Sequence, residues 1–121
     1  MAFDSPKLEL SEQRPDRRTL VVVASGEIHV STAPQLAERL ATAIGQGSRN
    51  VVVDLGDVSF IDSTGLSVLL DAQRQVTRAS GRLALVIANP TVLRLFEVTR
   101  LDATFAVEPT LEAAMGHLAR T

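Results

Sequence analysis

Short unbroken apolar runs alternate along this chain with stretches of helical period, and few folds accommodate that alternation. Thr19-Leu20-Val21-Val22-Val23-Ala24, Val51-Val52-Val53-Asp54-Leu55 and Leu83 to Ile87 are runs of the kind that suit strands covered on both faces. Between them, Leu36, Leu40, Ala43 and Ile44 recur at i, i+4, i+7 and i+8, one apolar helix stripe. Leu66, Leu69, Leu70 and Val76 mark the buried side of a second helix, running from about Ser63 to Ala79 and closed by Gly81. Its Ser67, Asp71, Arg74 and Arg78 form an outward polar stripe. Asn89-Pro90 starts a short helix carrying Val92, Leu95 and Phe96, and Leu111, Ala114, Met115 and Leu118 pattern a final one. Thr104 to Val107 reads as the last strand. At the front, Leu8 and Leu10 alternate with Lys7, Glu9 and Ser11, and a turn at Pro15-Asp16 joins this half-buried strand to the next. The fold class expected is α/β: a mixed, mostly parallel β-sheet with an N-terminal β-hairpin and about four helices. It would form one domain over residues 1–121, with residues 1–6 a flexible tail.

Composition narrows the function. The chain has 121 residues, the length of one domain. Only 3% are aromatic, so the core must be aliphatic. Net charge is −2, without the basic face or stacking aromatics that nucleic-acid binding needs. Arg14, Arg17 and Arg18 surround Pro15-Asp16 and read as a solvated turn. No cysteine is present, and neither a signal-peptide h-region nor a membrane-length apolar run occurs. A cytoplasmic protein without membrane insertion, cofactor or metal is expected, as a monomer or weak dimer.

Thr32 and Gln35 have capping-box spacing, Pro34 suits a first helical turn, and Gly45 and Gly47 stop that helix. In mostly parallel sheets, sites gather where strands end and helices begin. Attention therefore falls on the segment after Leu55, read as a loop from Gly56 to Ile61 followed by Asp62-Ser63-Thr64-Gly65-Leu66. Either Asp62 or Ser63 can cap the helix. Gly65 inside the first turn is costly by propensity, and fits either a close backbone approach or tight packing.

Val51 to Leu55 followed by Val58-Ser59-Phe60-Ile61-Asp62-Ser63-Thr64-Gly65-Leu66 resembles the signature of STAS-domain anti-sigma factor antagonists. Gly26-Glu27-Ile28 is similar to that family's glycine–glutamate–hydrophobic element. Asn89-Pro90-Thr91-Val92-Leu93-Arg94-Leu95-Phe96 is similar to its third helix. The resemblance runs from about Leu8 to Leu118. It implies a non-enzymatic partner switch. The unmodified protein would bind an anti-sigma factor with serine kinase activity and so release a sigma factor. Phosphorylation of Ser63 would break the complex, and a serine phosphatase would reset it. Ser63 is the expected phosphoacceptor, with Asp62 as its acidic neighbour and hydrogen-bond partner. Thr64, Gly65, Ser67, Asp71 and Arg74 are expected partner contacts, joined by His29 and Asp57 near the same surface. Two positions depart from the family pattern, which often has Asp where His29 stands and Gly where Ser67 stands. Thr64 and Ser67 read as surface hydroxyls rather than second modification sites.

Enzyme readings fail on residue supply. Asp62-Ser63-Thr64-Gly65 echoes an aspartic-protease motif, but that chemistry needs two such carboxylates. His29 and His117 are the only histidines, without a nucleophile elbow or ligand spacing, and His117 reads as a solvated surface residue. Gly45-Gln46-Gly47 lacks the Lys of a phosphate loop. The rival is a STAS protein-interaction subunit of a transporter or stress-signalling complex that is never phosphorylated. No fused membrane or sensor segment is seen, which favours a free-standing antagonist.

Overall fold

The computed structural model describes residues 7–119, so the tail expected at residues 1–6 lies outside the described residues. The elements are β1 (Leu8–Gln13), β2 (Thr19–Ile28), α1 (Ala33–Gly45), β3 (Asn50–Ile61) and α2 (Ser63–Arg78). β4 (Arg82–Val86), α3 (Pro90–Val98), a 3-10 turn (Leu101–Ala103), β5 (Ala106–Glu108) and α4 (Leu111–Ala119) complete the order. The sheet order is β1-β2-β3-β4-β5; β1 is antiparallel to β2 and every other pair is parallel. This is the mixed, mostly parallel sheet with an N-terminal hairpin and four helices that the sequence implied.

Period-two alternation sorts the central strands between two cores. The rows Leu20, Val51, Leu83 and Val22, Val53, Leu85 are buried together with Leu36 and Leu40 of α1, Leu69 and Val76 of α2, and Val92 and Phe96 of α3. Phe105 meets Phe96 edge-on, ring centroids 6.0 Å apart. The intervening row, Val21, Val52 and Ala84, faces the other way, against Ala114 and Leu118 of α4. With apolar cover on both faces, these strands carry apolar residues at successive positions.

Three expectations need correction. Gly56 to Ile61 is not a loop but the second half of β3, because β2 runs on to Ile28 and pairs with it: Ser25 with Asp57, Gly26 with Val58, Ile28 with Ile61. Two register shifts absorb the irregular, polar sequence, and Gly26 supplies a φ of +112° at one of them. The capping box at Thr32 does not form. Thr32 Oγ1 instead donates to Glu27 O and accepts from His29 N, while Gln35 Nε2 donates to Leu8 O. Those bonds tie the start of α1 to the ends of β1 and β2. The last strand is Ala106–Glu108, since the 3-10 turn precedes it and Phe105 is drawn into the core.

At the opposite end of the sheet, the turn before β2 is built on Asp16. Its Oδ1 accepts from Arg18 N at 2.8 Å and Thr19 N at 2.9 Å, and Thr19 Oγ1 donates to Oδ2. The Arg18 N–H foremost, then the Thr19 hydroxyl, hold the Asp16 carboxyl below its ordinary pKa.

Candidate functional site

β2 and β3 end side by side, so the loop after β2 and the start of α2 share one end of the sheet. Asp62 N donates to Ile28 O at 3.1 Å, which latches the β3–α2 junction onto the end of β2. Asp62 is extended (φ −109°, ψ −174°) and caps α2: its Oδ1 accepts from Thr64 N at 2.9 Å and Gly65 N at 3.2 Å. Ser63 is therefore the first helical residue and not the cap. It is exposed, and its hydroxyl makes no hydrogen bond among the described residues. The bond expected between Asp62 and that hydroxyl is absent; the Asp62 carboxylate accepts from the helix N–H groups through Oδ1 instead.

Gly65 is buried, and a Cβ there would lie 2.6 Å from Ile61 Cγ1 and 2.7 Å from Ile28 Cγ2. The close approach is made by the ends of the two strands, so the glycine lets α2 seat against them. Thr64 is half-buried beside it.

The expected contact residues divide. Ser67, Asp71 and Arg74 are exposed and continue one helix stripe from Ser63, at i+4, i+8 and i+11. Arg74 donates to Asp71 Oδ1 at 2.6 Å, so this part of the stripe carries little net charge. His29 comes directly after Ile28 and sits at the Ser63 end. Its Nδ1 accepts from Ser31 N at 3.2 Å, and its carbonyl accepts from Thr32 N and Ala33 N. Asp57 is exposed but five positions before Asp62 on β3, roughly 16 Å away at the rise of a strand. It is not gathered with Ser63, because the stretch expected to loop back is extended. His117 is half-buried, with Nδ1 3.7 Å from Glu108 Oε2.

Sequence reasoning missed the apolar side chains around this end. Val30 is 69% and Phe60 47% exposed, in the loop after β2 and at the end of β3. Neither stands out in sequence, because each lies within two positions of a buried apolar residue, Val30 of Ile28 and Phe60 of Ile61. Among the described residues, no cluster of three or more His, Asp or Glu side chains could hold a metal, and no helix is long and apolar enough to cross a membrane.

Residues 11–114 match the STAS domain family model. An anti-sigma-B factor antagonist of Bacillus subtilis is 35% identical over 88 residues, 73% of this chain and 80% of that protein. The crystal structure of an anti-sigma factor antagonist from Mycobacterium paratuberculosis superimposes with a TM-score of 0.85 at 29% identity, covering 93% of this chain and 94% of the other. The Bacillus cell fate determinant SpoIIAA in its phosphorylated form gives 0.70 at 25% identity, covering 90% and 98%. The chain thus belongs to the STAS domain family, among its anti-sigma factor antagonists, which are regulatory binding proteins and not enzymes.

Proposed function

We propose that this protein binds a cytoplasmic anti-sigma factor with serine kinase activity and is released from it by phosphorylation at Ser63, a serine phosphatase restoring binding. One observation carries the reading: Ser63 is exposed at the first position of α2 with its hydroxyl free, at the end of the sheet where β2 and β3 stop. A hydroxyl engaged in capping would resist transfer; this one is available to a kinase. That SpoIIAA, a relative of the same fold, is known in a phosphorylated form supports it.

The switch acts at the interface. A phosphate on Ser63 adds about −1.5 to −2 charge at a helix N-terminus, where the dipole favours it, so α2 stays folded. Asp62 already places a carboxylate next door. A partner surface shaped for a neutral serine would then face a solvated dianion beside a second acid. A loss of ~3 kcal/mol weakens binding more than a hundredfold. His29, Thr64, Ser67, Asp71 and Arg74 extend the docking surface, and Gly65 acts beneath it by seating the helix. Phosphosite mapping on protein from native cells is expected to find phosphate on Ser63 and none after Ser63→Ala. Phosphate on Thr64 or Ser67, or none on the native protein, would count against the reading.

A further inference from the structure

We infer that the sheet position left vacant beyond the end of β4 is a docking site for an extended peptide with alternating apolar residues and one carboxylate. β4 pairs with β3 only from Asn50 to Asp54, whereas β3 continues to Ile61. Over Leu55–Ile61, β3 has β2 on one side and no strand on the other among the described residues. At the outer end of this free edge lies an open groove of about 590 Å³ between Ser59, Phe60 and Ile61 and the side of α3. Its α3 wall includes Leu95 and Val98, the latter 69% exposed. Arg94 lines the same groove and forms no ion pair among the described residues.

Each feature constrains the occupant. A free strand edge presents backbone N–H and C=O groups, and covering them without partners costs about 1–3 kcal/mol apiece. A lipid-like chain or a helix cannot satisfy them; an added strand does. In an added strand every second side chain faces the α3 wall, so those residues should be apolar. The unpaired Arg94 selects a carboxylate beside them. The groove meets the Ser63 region through Ile61, but the inference stands without phosphorylation there.

The test is a display selection of random linear heptapeptides on the full chain, with Val98→Glu as the counter-selecting bait, after its thermal melt is shown to match the parent. Enriched peptides should carry apolar residues at every second position and one Asp or Glu. Their binding should weaken about tenfold on Arg94→Gln, the size of one charge-assisted bond, and be lost when the central amides are N-methylated. Slowed amide exchange at Ser59–Ile61 in the complex would locate the added strand. Failure to enrich any peptide that Val98→Glu rejects would overturn the inference. So would apolar spacing of three and four, or binding that survives N-methylation or Arg94→Gln.

Discussion

Gly65 illustrates how closely the site depends on single atoms. A methyl group there would overlap Ile61 and Ile28 near their backbones, where neither can swing aside. Gly65→Ala is expected to destabilise the fold by about 1–3 kcal/mol despite the better helix propensity of alanine; urea denaturation measures it, and unchanged stability would contradict the packing. Asp62→Ala removes the acceptor for Thr64 N and Gly65 N, with an expected loss of ~1 kcal/mol in the same assay. Asp16 gives a pH-dependent case. Its folded pKa lies below its ordinary value of 3.8, so its contribution is complete above that value and fades as the pH falls through the lower, folded one. The stability gap between the parent and Asp16→Ala should therefore be flat near neutral pH and narrow in acid. A gap that widens in acid would reverse the assigned sign.

Among the elements, the apolar halves of the strands were legible and the polar halves were not. Leu20 to Ala24 and Val51 to Leu55, buried on both faces but for the half-buried Val23 and Asp54, show it in their composition. Ser25-Gly26-Glu27 and Gly56-Asp57 look like turn residues, and they become strand only because each segment supplies the other's backbone partners. Such mutual support depends on residues far apart in sequence, as does the contact of Gly65 with Ile28. The Asp62-Ser63 helix start was legible because capping is local, although sequence left the cap open between the two. The vacant edge beside β3 was not legible, since it depends on where β4 stops. Gly26 is the point at which β1 reaches the extended pair: a Cβ there would lie 2.0 Å from Lys7 O, at a φ of +112°. Gly26→Ala should cost more stability than Gly65→Ala by chemical denaturation, since the obstacle is backbone and the conformation itself is strained. Equal costs would show that β1 simply moves away.

At the scale of the molecule, the sheet holds the ends of β2 and β3 and the start of α2 in fixed relation, so one modification can alter a whole docking surface without a change of fold. Ser63→Ala leaves that position uncharged, whereas Ser63→Asp adds one negative charge beside Asp62. The most direct measurement is an affinity capture from lysate of the native host with parent, Ser63→Ala and Ser63→Asp baits, compared by quantitative mass spectrometry. An ATP-binding, kinase-like protein is expected to be retained by the first two baits and depleted on the third. If all three baits retain the same partner equally, such as a transporter subunit or a signalling scaffold, Ser63 is not the switch.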